Sequence, residues 1–214
     1  MNIIKLIGNM VYKNFFLRLF ISLIFIIIYL ICLSINFSFV FYIILLIYSF
    51  IFIEIYINFK KYKLLPFLYL FISFVFFINI DFNQEIFFHF NLFILIVVMF
   101  DIFSYIVGNA YGKVKIFKIS PNKTLEGLIG GAIISFVFGL AFSHFVGIFI
   151  NIQLVIYTIL IITCSFIGDI LESYFKRKNN LKNSSEFIPG HGGVFDRFDS
   201  FLFSIIFYSI SINI

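Results

Sequence analysis

Charge is scarce in this chain. Asp, Glu, Lys and Arg make up 12% of its 214 residues, where a soluble domain carries about a quarter. Hydrophobic residues make up 63% and mean hydropathy is +1.14. Composition therefore excludes an ordinary soluble globular domain and implies an integral membrane protein. Cysteine is nearly absent: Cys32 and Cys164 both fall in apolar runs. That excludes a disulfide framework or a cysteine metal site and leaves both as packing residues. Glycine is withheld from the first half, with Gly8 the one glycine before Gly108. Arginine is rare too, at Arg18, Arg177 and Arg197, in a chain whose Phe, Ile, Asn and Lys content resembles AT-rich coding drift. Where lysine is the favoured base, a retained guanidinium points to a need for its planar fork.

What the chain does have is apolar runs. A hydrocarbon core of roughly 30 Å takes about 20 residues of helix. Seven runs qualify, about 17–35, 38–58, 64–80, 86–107, 125–149, 153–175 and 198–214, the third and the last being short. The expected fold class is all-α, a polytopic integral membrane protein of about seven transmembrane helices. With seven crossings every Lys and Arg falls on one side, from Lys5, Lys13 and Arg18 through the 60–63, 113–123 and 176–197 loops, and Asp81 and Glu85 fall on the other. Basic loops mark the cytoplasmic face, so the N-terminus is placed inside and the C-terminus outside. Bases ahead of an apolar run also fit a cleaved signal peptide, but this run is too long and no small-x-small cleavage site follows. Residues 1–214 read as a single membrane domain, with N-terminal spans in 1–97 and the functional spans and loops in 98–214. There is no separate soluble domain and no internal repeat.

The unusual residues gather in 108–124 and 168–200. At the end of the sixth run Asp169, Glu172, Ser173 and Lys176 share one helical face. They read either as i,i+4 pairs, Asp169 with Ser173 and Glu172 with Lys176, or as part of a site, since intramembrane charge is costly unless used. Pro189, Gly190, His191, Gly192 and Gly193 follow, either a plain turn or a loop whose N–H groups cradle a phosphate, with Lys182, His191 and Arg197 around it. Asp196 and Asp199 then open the last run. They read as helix caps or, opposite Asp169, as carboxylates for a hard divalent cation, which takes one or two of them plus phosphate oxygens. In the earlier loop Ser120 and Pro121 start a turn, Thr124 caps the next helix, Lys123 can reach a phosphate, and Glu126 follows. Asp101, Tyr105 and Gly108 share a face of the fourth run. Glu54 either snorkels or pairs with a nearby lysine, and His89 and His144 read as packing or interfacial residues.

These residues resemble a known family. Ser173-x-Phe175-Lys176-Arg177, Lys182, and Pro189-x-His191-Gly192-Gly193-Val194-x-Asp196-Arg197-Phe198-Asp199 are similar to the long C-terminal motif of the phosphatidate cytidylyltransferases. Gly168-Asp169, Glu172-Ser173, Ser120-Pro121-x-Lys123-Thr124-x-Glu126-Gly127, and Tyr105-x-x-Gly108 with Gly112-Lys113 match as well. The likeness covers roughly 98–205. Departures are Asn183 for an Asp, Asp101-Ile102-Phe103-Ser104-Tyr105 for Asp-Thr-Gly-Ala-Tyr, Asn109 for an Arg and Leu125 for a Trp.

The resemblance implies an active nucleotidyltransferase of phospholipid biosynthesis in a bacterial inner membrane. It joins CTP to phosphatidate, with Mg²⁺, at the cytoplasmic face. It implies Asp169 and Asp196 as metal ligands, and as catalytic residues together with Lys176, Arg177, His191 and Arg197. Around the substrates it implies Ser120, Lys123, Thr124, Glu126, Asp101, Glu172, Ser173, Lys182, Gly192, Gly193 and Asp199. Partners are then the two substrates and the bilayer, with no nucleic acid; the reading leaves room for a homodimer. Two rivals remain. A CTP-dependent kinase of a polyprenol-type alcohol would release CDP and need a base for its nucleophile. A transporter would carry its charges near the midplane, in repeated halves.

Overall fold

The structure is a computed structural model that describes residue 24 and residues 27–212, except 85, 118, 122 and 188–191. Lys5, Lys13, Arg18, about half of the first expected run, Glu85, Pro189, Gly190 and His191 lie outside the described residues. The helices are α1 (27–35), α2 (Ser38–Asn58), α3 (Leu64–Ile78), α4 (Phe87–Tyr111), α5 (Leu125–Val146), α6 (Ile152–Lys178) and α7 (Phe195–Ile212). Among the described residues β structure is confined to isolated bridge positions, Lys115 with Thr124 and Gly192, and every extended element is a helix.

Four helices, α2, α4, α5 and α6, are long and apolar enough to cross a membrane. Expected bounds are corrected in five elements: the fifth ends at Val146 rather than 149, the seventh begins at Phe195 rather than 198, and three others shift as follows. The third element ends at Ile78, and its 15 residues reach only roughly 22 Å. The fourth runs on to Tyr111, and the sixth to Lys178. Both extensions carry polar ends past the apolar runs, because a helix continues until a cap stops it rather than where hydropathy falls. Local chemistry sets the neighbouring ends. Thr124 stands extended before α5 and its hydroxyl accepts from Gly127 N–H at 3.2 Å, an N-cap. Gly147, at φ 84°, closes α5 in the left-handed conformation that glycine tolerates. Asn151 then caps α6 through Leu154 N–H at 2.8 Å.

Packing follows residue size. The buried residues of α5 are Gly127, Gly131, Ser135, Gly139 and Ser143, one every fourth position, a small-residue seam that lets backbones approach in lipid. A Cβ on Gly131 would lie 2.8 Å from Ser104 of α4. At the other end of the bundle rings fill the interior, with Phe90 and Phe93 both against Tyr208 at centroid distances of 5.5 and 4.6 Å. The outside is apolar: Phe71, Phe145 and Phe149 are 63%, 88% and 89% exposed, a surface suited to hydrocarbon rather than water.

The N-terminal helices brace α7. Ser73 on α3 donates to Leu202 O at 2.6 Å and contacts Tyr48 of α2 at 2.6 Å. Asn179, at the end of α6, accepts from Lys61 and Tyr62 N–H at 3.1 and 3.2 Å. The Asn179 contacts bring the 60–63 loop to the C-terminal end of α6, and the hydrogen bond from Arg177 to Ile119 O brings the loop before α5 to the same end.

Candidate active site

At that end the structure forms a cavity of about 280 Å³. α4 contributes Asp101, Ser104 and Tyr105, the following loop Ser120, Lys123 and Thr124, α6 Asp169, and α7 Asp196, Arg197 and Asp199. Phe100, Leu128 and Phe166 form its apolar wall. Four acids and two bases thus meet from segments up to about a hundred residues apart in sequence.

Ser200 organises the acids. Its Oγ lies 2.8 Å from Asp101 Oδ1 and 2.8 Å from Asp169 Oδ1. A hydroxyl carries one proton, so it can donate to only one of these two carboxylates at a time. The other oxygen of Asp169 is ion-paired with Lys123, whose ammonium also stands 5.6 Å from the centre of the Phe166 ring. The backbone N–H of Ser200 donates to Asp199 Oδ1 at 3.0 Å.

A second cluster adjoins the cavity through Asp196. Lys176 bridges Glu172 at 2.5 Å and Asp196 at 2.6 Å. Glu172 is fully buried. The i,i+4 pair of Glu172 with Lys176 is therefore present, whereas Asp169 turns to Ser200 and Lys123 rather than to Ser173. Asp196 also accepts from Ser184 N–H at 3.0 Å and Gly193 N–H at 2.9 Å, so both its oxygens hold donors from the protein.

Several expected binders have other work here. Glu126 accepts from the N–H groups of Lys113 and Val114 at 3.0 and 3.2 Å. It holds the 112–116 segment against α5, beside the Lys115–Thr124 bridge. Arg177 donates to Ile119 O at 3.2 Å and Leu181 O at 2.8 Å, tying the two loops together. Its guanidinium fork is used, but on carbonyls. Gly193 is buried with its N–H on Asp196, and the next two N–H groups go to Glu54. Of the N–H groups in the 189–193 turn expected to cradle a phosphate, that of Gly193 is spent on Asp196, while Gly190 and His191 lie outside the described residues. Gly192, at φ 83°, supplies the left-handed turn. Thr124 faces the cavity but spends its Oγ1 on the cap of α5. Lys176, Glu172, Ser173 and Lys182 are not among the lining residues; Ser173 is buried and Lys182 exposed.

The family described as the cytidylyltransferase family matches residues 4–214. This chain belongs to the cytidylyltransferase family. Among the relatives of this chain are proteins named phosphatidate cytidylyltransferase from Staphylococcus haemolyticus, at 45% identity, and Staphylococcus aureus, at 44%. One from Staphylococcus epidermidis is also 45% identical. Each match runs over 111 residues, 51% of this chain and 43% of the relative. The aligned stretch thus spans less than half the length of these curated relatives.

The sequence does not single out Ser200, and it points Glu54 to a nearby lysine rather than to the N–H groups it holds. Ser200 sits in the first turn of α7 next to Asp199, and a hydroxyl there reads as routine polar capping. Glu54 was legible as an intramembrane acid, but its partners lie 140 and 141 residues away. Neither pairing follows from spacing.

Proposed function

We propose that this cytidylyltransferase is a phosphatidate cytidylyltransferase, converting CTP and phosphatidate to CDP-diacylglycerol and pyrophosphate. One observation carries the reading. The charged cavity shares Phe100, Leu128 and Phe166 with a neighbouring groove of about 590 Å³, lined further by Ala132, Ile133, Phe136, Ile159 and Ile162. A polar chamber joined to an apolar groove on the lipid-facing side suits a substrate with a phosphate head and hydrocarbon tails.

The chemistry asks little of a base. A phosphate monoester is already largely dianionic at neutral pH. One of its oxygens attacks the α-phosphorus of CTP, the new P–O bond forms, the α–β bridge breaks, and pyrophosphate leaves with the electron pair. Lys123 and Arg197 offset the negative charge in the cavity and orient the phosphates. Ser200 holds Asp101 and Asp169 towards one another.

Magnesium belongs to this proposal. Among the described residues no three His, Cys, Asp or Glu side chains are grouped to hold a metal by themselves. Two carboxylates converging on one hydroxyl nonetheless fit an ion that binds one or two carboxylates and completes its shell with phosphate oxygens and water. Asp169 and Asp101 would hold it, with Asp196 committed to Lys176 and to backbone donors. When bound, the ion would neutralise phosphate charge and fix the α-phosphate.

The test is to incubate purified protein with CTP, phosphatidate and Mg²⁺ and identify products by mass. CDP-diacylglycerol with stoichiometric pyrophosphate is expected. CDP with a phosphorylated lipid alcohol, when a polyprenol is offered instead, would overturn the reading in favour of a kinase.

We further propose seven crossings, with the cavity facing the cytoplasm of a bacterial cell. Residues 61 and 62 share an end of the bundle with Asn179, while Phe82 O accepts from Ser38 Oγ at the other end at 3.2 Å. With Cys32 and Cys164 replaced by alanine, Lys61→Cys is expected to resist an impermeant thiol reagent in intact cells, and Asp81→Cys to react. Both positions are exposed. The reverse labelling would sink the orientation.

A further inference from the structure

Glu54 lies in α2, where it is 6% exposed, and it does not line the cavity. Its Oε2 accepts from Val194 N–H at 2.8 Å and Phe195 N–H at 3.1 Å. These groups open α7. The first N–H groups of a helix have no carbonyl partner within it, and an anion beside them is favoured by the helix dipole. A side chain at the preceding residue usually supplies the acceptor. Here that residue is Val194, which has no polar side-chain atom, and a carboxylate from another helix takes the place.

Gly193 makes this possible. A Cβ there would collide with the Glu54 carboxylate and with Ser184 Oγ. Glu54 Oε1 and Ser184 Oγ are both buried, without a hydrogen-bond partner among the described residues, and border that same space. Gly193 N–H in turn goes to Asp196. Three consecutive N–H groups, at 193, 194 and 195, are thus clamped by two carboxylates. The turn they begin carries Arg197, Asp199 and Ser200, the last bridging Asp101 and Asp169.

We propose that Glu54 is a positioning residue of the cytidylyl-transfer site. It is a carboxylate lent by the N-terminal helices to clamp the start of α7, which sets Arg197, Asp199 and Ser200 against Asp101 and Asp169. The assignment rests on the reaction proposed above. It also gives the N-terminal helices, whose described residues do not line the cavity, a part in the chemistry at its floor.

The test compares Glu54→Ala, Glu54→Asp and Glu54→Gln in the full chain, by kinetics and by amide hydrogen exchange. Gln keeps a carbonyl oxygen that can accept both bonds. Ala has no acceptor, and Asp is one methylene too short. In Glu54→Ala and Glu54→Asp the amides at 193–195 are expected to exchange at least about tenfold faster. In the same variants kcat is expected to fall roughly ten- to hundredfold, with KM for CTP little changed, and Glu54→Gln to recover most of both. A purely structural role would lower the yield of folded protein while leaving kcat per folded molecule unchanged. Wild-type kcat in either short variant, or unaltered exchange at 193–195, overturns the proposal. If the wild type forms no CDP-lipid, the reaction reading falls separately. The exchange measurement then still decides the clamp: fast exchange upholds it and wild-type protection removes it.

Discussion

Asp169→Asn is expected to lower kcat by roughly a hundredfold or more, while the protein stays folded in the membrane. The exchange is nearly isosteric. The amide oxygen can still accept from Ser200 Oγ, now 2.8 Å from Asp169 Oδ1, but the pair with Lys123 is lost. One of the two converging charges that suit a magnesium ion goes with it. Turnover measured against Mg²⁺ concentration checks this, and the midpoint is expected to move to higher Mg²⁺ as kcat falls. Near-wild-type turnover with an unchanged Mg²⁺ midpoint would rule Asp169 out as an essential ligand. The same substitution at Asp196 separates the two acids. Its oxygens are held by Lys176, Ser184 N–H and Gly193 N–H, so its main effect is expected on stability, with the Mg²⁺ midpoint unmoved.

Lys176→Met is expected to destabilise the fold by about 3–5 kcal/mol, because it strips the counter-charge from a fully buried carboxylate, Glu172, and a largely buried one, Asp196. Glu172 is fully buried and the Asp196 side chain is 9% exposed. Glu172 cannot recover its hydration without opening the end of α6, whereas Asp196 keeps an edge on the cavity. Thermal unfolding in detergent should show a midpoint lowered by roughly 10 °C. Adding Glu172→Gln to Lys176→Met should restore part of the loss, since one of the stranded charges is then gone. A midpoint within about 2 °C of wild type would show that the bridge contributes little, as exposed pairs usually do.

Much of the site was legible because its residues are the wrong kind for their surroundings. Asp101, Lys123, Asp169, Asp196, Arg197 and Asp199 are charged groups at the ends of apolar runs, and all six line one cavity. The Glu172–Lys176 pair was legible for a different reason: helical spacing alone brings i and i+4 together. Glu126, Arg177 and Gly193 read as binders on residue type, yet their polar groups are spent on the chain itself. A carboxylate satisfied by backbone N–H and one presented to a phosphate look alike in sequence.

The sequence by itself determined that the chain is helical and apolar, that its bases crowd the same few loops, and which charged residues are candidates, because hydropathy and helical period are local properties. Only the tertiary structure decided how these residues divide the labour. Ser200 binds Asp101 to Asp169 across 99 and 31 residues of chain. Glu54 caps a helix that begins 141 residues later. In an apolar interior each buried N–H and each carboxylate oxygen must find a partner or cost free energy. The partner is whatever polar group the packing of α2, α4, α6 and α7 brings within reach, and that choice is made by helices meeting in space, not by spacing along the chain.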